Sequence, residues 1–119
     1  MAVVLNNLAQ LYRLQNRLEE AEPLYRKALS IWEKALGPDH PDVARGLRNL
    51  GSCFVQEGKQ RGALELFQRS AAIFEKTLGS RHPETLNVLQ DLSRAYRASG
   101  RNTEANRVRS LLRQANSLH

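Results

Sequence analysis

The sequence has few of the residues that build disulfide scaffolds, low-complexity chains or membrane spans. It has one cysteine, Cys53, so it cannot form an internal disulfide or a multi-cysteine zinc site. Its four prolines and seven glycines exclude a collagen-like chain. No segment approaches the roughly 18 apolar residues that cross a bilayer, and the N-terminus lacks the basic start of a signal peptide. We therefore expect a cytoplasmic protein that does not insert into a membrane.

Acidic residues are also scarce relative to basic ones. Twelve Asp and Glu residues face eighteen Lys and Arg residues, so the formal net charge is +6 at pH 7. Hydrophobic residues make up 41% of the chain and charged residues 25%, which is typical of a folded globular protein and excludes a disordered one. A basic surface of this kind suits an acidic partner, either a protein segment or a nucleic acid.

The dominant feature of the sequence is a repeat with a period of 42 residues. The hexapeptide Leu-Gly-Pro-Asp-His-Pro at 36–41 recurs as Leu-Gly-Ser-Arg-His-Pro at 78–83. An ungapped comparison of residues 1–42 with 43–84 gives thirteen identities. Because self-similarity at such a period is typical of repeat proteins, we expect residues 1–119 to form one domain of three repeats, 1–42, 43–84 and 85–119.

Each copy is predicted to form two helices. In the first half, apolar residues recur with the spacing of an amphipathic helix, as at Leu5, Leu8 and Tyr12. A polar break follows, and then a second apolar stripe, which ends at Gly37 in the first copy. Small residues recur at one position of each first helix and one position of each second helix: Ala9, Gly51 and Ser93, and Ala21, Ala63 and Ala105. Since small residues let backbones approach closely, each copy is expected to complete its core against its neighbour.

Large aromatic residues, among them Tyr25 and Phe67, are expected to fill the volume between the layers of helices. These small and large positions resemble the tetratricopeptide repeat, a helix–turn–helix unit whose usual period is about 34 residues. The longer period and the Gly-x-x-His-Pro connection resemble the repeats of kinesin light chains and nephrocystins. The segments that carry the resemblance are Leu-Asn-Asn-Leu-Ala at 5–9, Glu-Glu-Ala-Glu-Pro-Leu-Tyr at 19–25 and Leu-Gly-Pro-Asp-His-Pro-Asp-Val-Ala at 36–44. The resemblance implies an all-α, right-handed superhelical α-solenoid of about six helices. In the last helix Arg109 and Leu112 replace the usual aromatic and small residue, and its polar outer face suits a C-terminal cap.

The resemblance also implies a function and a site. In this family the first helix of each repeat lines a concave face that binds a protein partner. The corresponding polar positions here are Asn6, Asn7, Gln10, Arg13, Arg45, Arg48, Asn49, Ser52, Asn87, Gln90, Arg94 and Arg97. The five arginines in this set are accompanied on that face by a single acid, Asp91. Because guanidinium groups pair with carboxylates and Asn amides bind peptide backbones, we expect a scaffold that binds an extended, acidic peptide.

Two alternatives stay open at this stage. One is a structural module that self-associates by stacking of repeats or swapping of a hairpin. The first helix carries an apolar stripe with no repeat before it, so the chain is predicted to be a piece of a longer array, or to offer an open end to a second copy. The other alternative is nucleic-acid binding through the Arg-rich face. It is less favoured because helical-repeat RNA readers also stack bases on their side chains, and the inward positions hold no aromatic residue.

The residues that could support catalysis or bind a metal are expected to be structural. His40 and His82 lie one repeat apart at equivalent connections, so they are not expected to converge on a metal. Cys53 occupies a position that is apolar in the other repeats and is predicted to be buried. The acidic residues at 19–22 open a helix, where the helix dipole favours them. With no phosphate-binding loop and no catalytic motif, we expect no enzymatic activity, no cofactor and no metal site.

Overall fold

The computed structural model describes residues 1–117, which form six α-helices and no strand. The helices are α1 (Ala2–Leu14), α2 (Leu18–Leu36), α3 (Pro41–Gln56), α4 (Gln60–Leu78), α5 (Pro83–Ala98) and α6 (Asn102–Ser117). Each helix packs against the next, so the chain folds into three successive hairpins, α1–α2, α3–α4 and α5–α6. This confirms the predicted all-α, right-handed solenoid. Within residues 1–117, none of the helices combines the length and the hydrophobicity needed to span a membrane.

A three-residue turn of one geometry joins the helices of every hairpin. Its central residue has a positive φ of 60°, 80° or 78° at Asn16, Gly58 and Gly100, a conformation that glycine adopts freely and asparagine tolerates. The next residue donates its N–H to the carbonyl five residues earlier, at 2.8–2.9 Å. Its cationic side chain also lies over an aromatic ring, in the pairs Arg17–Tyr12, Lys59–Phe54 and Arg101–Tyr96. Because the three turns match, equivalent positions in the hairpins can be compared directly.

Between hairpins, a histidine caps the next helix. His40 and His82 have extended backbones, and the Nδ1 atom of each accepts a hydrogen bond from the N–H two residues later, at 3.0 and 3.1 Å. The proline that follows each histidine takes the first helical position, where no N–H is needed. Asp42 and Glu84 lie in the first turns of α3 and α5. The two histidines therefore have a structural role, and the sequence did not reveal that this role is capping of a helix.

The core lies between successive helices, where large rings meet small residues. Tyr25 and Phe67 are at most 2% exposed. A Cβ atom added at Gly51 would lie 2.7 Å from Cε1 of Phe67, so glycine lets this ring lie directly against the backbone of α3. Ala9 and Ser93, at the equivalent positions of α1 and α5, are buried as well. The recurring small residues thus allow the close approach of helices that their pattern predicted.

Candidate functional site

The first helices of the three hairpins, α1, α3 and α5, are joined by side-chain contacts along one surface. Asn49 of α3 donates from Nδ2 to Oδ1 of Asn6 on α1 at 3.0 Å. Arg45 and Arg48 of α3 reach carboxylates of α5. We call the surface that carries these contacts the inner face. The structure therefore brings predicted site residues from successive repeats together on one side of the molecule.

Arg13 links α1 to α2 and α3. Its Nε donates to the phenol oxygen of Tyr25 at 3.2 Å, and its Nη1 donates to Oε1 of Gln56 at 2.9 Å. Burial raises the pKa of Tyr25 above its usual value, so the phenol stays neutral at physiological pH and can accept this hydrogen bond. Arg13 itself is half-buried and has no carboxylate partner among the described residues.

Arg45 forms a network of ion pairs between the second and third hairpins. Its Nε and Nη2 donate to the two carboxylate oxygens of Glu84 at 2.6 and 2.7 Å, a bidentate pair. Its Nη1 also contacts Asp42. The hydrogen bonds from Arg45 hold the pKa of Glu84 below its usual value, and the same hydrogen bonds raise the pKa of Arg45. The positive charge of Arg45 is therefore balanced by Glu84 and Asp42 within the chain.

Arg48 is also paired with a carboxylate of α5, through a single hydrogen bond. Its Nε donates to Oδ2 of Asp91 on α5 at 2.6 Å. The other oxygen of Asp91 lies 3.7 Å from Nη1 of Arg94, whose side chain is largely exposed. Asp91, the acid expected on this face, thus neutralises Arg48 and leaves Arg94 without a hydrogen-bonded carboxylate.

The inner face is accordingly less positive than the sequence predicted. Five arginines were expected to face one acid, but Asp42 and Glu84 also reach this surface, because they follow the capping histidines at the starts of α3 and α5. Arg45 and Arg48 are neutralised by these acids and by Asp91. In the part of the chain that the structure describes, the predicted arginines without a hydrogen-bonded carboxylate are Arg13, Arg94 and Arg97.

The other predicted site residues remain accessible. Ser52 is half-buried on α3. Five residues are exposed, and their side chains form no hydrogen bond with any other residue of 1–117: Asn7, Gln10, Asn87, Gln90 and Arg97. Their part in binding a partner stays a prediction.

A pocket of about 360 Å³ opens on the inner face between α3 and α5. Its lining residues are Arg13, Ser52, Val55, Gln56, Gln60, Phe67, Asp91, Arg94, Ala95 and Ala98. We call it the groove pocket. Val55, Ala95 and Ala98 give it apolar walls, and Val55 is 40% exposed, so this side chain is free to contact a ligand. A volume of this size, with apolar walls and a few polar groups, is typical of a ligand site.

The pocket contains predicted site residues and one residue that was interpreted only as core. Arg13, Ser52 and Arg94 belong to the predicted set. Phe67 is buried, as expected for a core residue, but it also lines the pocket. The sequence does contain a signal for this second role. Gly51 indicates a ring lying against α3, and Ser52, an inward position, follows it directly.

Cys53 is not part of this site. Its side chain is buried, as predicted, and its Sγ lies 3.5 Å from Oε1 of Glu57. Burial, together with the nearby carboxylate, raises the pKa of the thiol to about 12. The thiolate form that reacts with electrophiles is therefore strongly disfavoured at physiological pH. Among the described residues, no group of three His, Cys, Asp or Glu side chains is placed to hold a metal ion.

The stacked hairpins and the groove of the inner face define an α-solenoid of helix–turn–helix repeats. A sequence profile of the tetratricopeptide repeat matches residues 1–76 and 62–108. The chain therefore belongs to the tetratricopeptide repeat family, as its motifs predicted. This fold is in general a protein–protein interaction scaffold, and its members are typically not enzymes.

Solved structures with a similar fold include repeats related to kinesin light chains. The nearly identical TPR-like repeats of a kinesin-light-chain-type protein from Podosopora anserina are 29% identical, with a TM-score of 0.86 over 96% of this chain and 54% of that chain. The chain thus spans about half the length of that relative. BtubC (BKLC) from P. vanneervenii is 22% identical, with a TM-score of 0.82 over 95% of this chain and 46% of that chain. The TPR domain of Arabidopsis FLU is 14% identical, with a TM-score of 0.84 over 99% and 96% of the two chains. The last two show the fold alone, and no curated protein sequence matches the chain.

Proposed function

We propose that residues 1–119 form one binding unit, which holds an extended, acidic segment of a protein partner against the inner face. The observation that carries this proposal is the groove pocket, where the exposed Val55 lies beside Arg13 and Arg94. An apolar side chain of the partner enters the pocket, and acidic side chains next to it pair with the two guanidinium groups. A cytoplasmic location belongs to the same proposal, and the free thiol of Cys53 is compatible with a reducing compartment.

Exposed amides on either side of the pocket support an extended conformation of the bound segment. Asn7 and Gln10 lie on α1, and Asn87 and Gln90 lie on α5. Their side chains are not used within residues 1–117, so each amide can both donate to and accept from a peptide backbone. The segment would then run across the three first helices, with its anchor residue between α3 and α5.

The expected affinity follows from the exposure of these groups. Exposed ion pairs contribute only about 0.2–1 kcal/mol each. Several such contacts and one partly buried side chain correspond to micromolar binding, about −8 kcal/mol. Because the ion pairs are exposed to solvent, the affinity should fall as salt screens them.

A peptide-library selection tests the proposal. The wild type is compared with the double variant Val55→Glu/Arg94→Glu, which places negative charge on both sides of the pocket. The matched control is Leu36→Glu/Arg61→Glu, which makes the same chemical changes at exposed positions outside the pocket. Enriched peptides should be acidic, and their affinity should drop more than tenfold in the pocket variant and by less than twofold in the control. If both variants retain the wild-type profile, or if the affinity is the same at low and high salt, the proposal is wrong.

Self-association is a second candidate function, and the outer side of α1 favours it. Val4, Leu8 and Leu11 are 64%, 38% and 51% exposed there. The opposite end of the described solenoid is not complementary to them, because the exposed side of α6 carries Arg109 and Arg113. Two copies would therefore associate through α1 against α1, which avoids placing charged groups against leucines.

Light scattering over a range of protein concentration tests this second candidate. The wild type should form dimers as concentration rises, and Val4→Glu/Leu11→Glu should remain monomeric. The control Val55→Glu/Leu111→Glu also replaces two exposed apolar residues, but away from α1, and should dimerise like the wild type. A monomeric wild type at all concentrations contradicts this function.

A further inference from the structure

The third repeat contains more positive charge than its own acids can balance. Residues 85–119 carry six arginines and two acids, Asp91 and Glu104. Asp91 is hydrogen-bonded to Arg48 of the second repeat, and Glu104 to Arg101 at 2.5 Å. Both carboxylates of this repeat are therefore already hydrogen-bonded to arginines, Arg48 and Arg101.

Two of the remaining arginines, Arg97 and Arg109, occupy positions whose equivalents in the first repeat are in contact. Arg97 and Arg109 are the equivalents, 84 residues later, of Arg13 and Tyr25, whose side chains are hydrogen-bonded at 3.2 Å. The α5–α6 hairpin repeats the turn geometry of α1–α2. It is also closely packed, since Oγ of Ser93 lies 3.4 Å from a backbone carbonyl of α6. By this equivalence, positions 97 and 109 of the α5–α6 hairpin correspond to two positions whose side chains meet in the α1–α2 hairpin.

Arg94 extends this pair toward the groove pocket. It lies one helical turn before Arg97 on α5, lines the pocket and has a side chain that is 76% exposed. Arg97 and Arg109 are exposed and make no hydrogen bond or ion pair with any residue of 1–117. We call these three residues the arginine cluster. Positive charges on successive turns of α5 and on the helix packed against it repel one another, and a bound anion would relieve the repulsion.

We propose that the arginine cluster is a subsite for a phosphorylated side chain of the bound peptide, next to the residue that enters the groove pocket. This inference rests on the proposed function. A phosphate group carries about −1.5 to −2 charges at pH 7 and three acceptor oxygens. It can therefore accept hydrogen bonds from two guanidinium groups at once, whereas one carboxylate leaves most of the charge of the cluster unbalanced.

The surroundings of the cluster favour a phosphopeptide over the phosphate backbone of a nucleic acid. All seven aromatic residues lie in the described part of the chain and none is largely exposed, since four are buried and Tyr12, Trp32 and Tyr96 are half-buried. Proteins that bind single-stranded nucleic acid typically add base stacking on exposed rings to their cationic surface. Here the cationic residues are continuous with an apolar pocket and with exposed amides, which suit a side chain and a peptide backbone.

Titration of the ¹⁵N-labelled protein with inorganic phosphate at constant ionic strength tests the subsite. Phosphate should shift resonances of α5 and α6 in a saturable manner, and acetate should bind at least tenfold more weakly. The variant Arg97→Gln/Arg109→Gln should weaken phosphate binding at least tenfold. The control Arg61→Gln/Arg107→Gln removes the same charge from exposed positions outside the cluster, and should change it less than twofold. An equal loss in both variants, or equal binding of acetate and phosphate, overturns the proposal.

Selection from a phosphoserine peptide library, before and after phosphatase treatment, distinguishes this inference from the proposed function. Phosphopeptides should be enriched by the wild type and by the control, and lost in Arg97→Gln/Arg109→Gln. If unphosphorylated acidic peptides are enriched equally by all three proteins, the subsite is wrong and the peptide-binding function stands. If phosphate binds at the cluster but no peptide is enriched, the peptide-binding function is wrong. If single-stranded RNA displaces phosphate at physiological salt and no phosphopeptide does, the ligand class is wrong.

Discussion

Helices α1 and α3 carry the same apolar pattern but differ in burial. Leu8 of α1 is 38% exposed, whereas Leu50, its equivalent 42 residues later, is 2% exposed. Leu11 is likewise exposed, whereas Cys53 at the same position of α3 is fully buried. The cause is the neighbouring helix, because α3 packs against both α2 and α4, whereas α1 packs chiefly against α2. An amphipathic stripe therefore allows burial, but a neighbouring hairpin is needed to achieve it.

Helices α4 and α6 also differ in burial, but here the residue types at the equivalent positions differ as well. Phe67 and Ala71 of α4 are buried, and the ring of Phe67 lies against Gly51 of α3. Arg109 and Arg113 stand at the equivalent positions of α6 and are exposed. The two ends of the described solenoid therefore have different surfaces, one apolar and one cationic. This difference is why we assign self-association to α1 and anion binding to the third repeat.

The largest expected effect comes from truncating the same side chain in α1 and α3. Leu50→Ala should reduce the free energy of unfolding by about 2–5 kcal/mol, because it opens a cavity in the core. Leu8→Ala should cost less than about 1 kcal/mol, because its side chain is already partly in solvent. Urea unfolding of both variants measures the difference. Equal losses would contradict our explanation that the neighbouring hairpin determines the burial of the stripe.

A smaller effect is expected at the C-terminal end, where a pocket of about 210 Å³ is lined in part by Leu89, Leu111 and Ala115. The equivalent of Ala115 in the second repeat is Ile73, which is buried. Ala115→Ile should therefore fill the pocket and stabilise the protein by about 1 kcal/mol, measured as a higher melting temperature.

A matched substitution in the same helix checks this interpretation. Ala105 is 1% exposed and is closely packed, so Ala105→Ile should destabilise the protein by about 1–3 kcal/mol. If both substitutions stabilise the protein, helix propensity or general hydrophobicity would explain the result better than filling of a pocket.

The smallest expected effect concerns the boundary between the second and third hairpins, where Arg45 pairs with Glu84. The first boundary lacks this pair, because Val3 stands at the position equivalent to Arg45. Arg45 is 43% exposed, so Glu84→Gln should cost less than about 1 kcal/mol at pH 7. The pKa of Glu84 is lowered by folding, so its contribution is complete above the usual value of 4.5 and is lost as pH falls through the lowered pKa.

Unfolding free energies of wild type and Glu84→Gln should therefore converge in acid. The two proteins are compared by urea unfolding between pH 7 and pH 3, with Glu75→Gln, an exposed glutamate of α4, as the control. A difference between wild type and Glu84→Gln that stays constant down to pH 3 would show that this ion pair does not stabilise the boundary.

The fold could be predicted from the sequence because its determinants are local and recur. The glycines at the turns, the His-Pro pairs and the small residues opposite rings each act within one hairpin or between adjacent hairpins. The site could be predicted only in part. Arg45 and Arg48 were expected to be free, but their acidic partners lie about one repeat away, at Glu84 and Asp91. Contacts between first helices depend on the superhelical arrangement, and no local pattern reveals them.

The sequence by itself determined the number and order of the helices, the family and the pairing of helices within hairpins, because a period of 42 residues repeats the same short-range steric requirements. Only the tertiary structure decided which of these equivalent side chains are buried, which arginines keep their charge available and where the groove pocket lies. Burial and ion pairing depend on what the next hairpin places against a residue, and that neighbour changes from one repeat to the next even where the pattern does not.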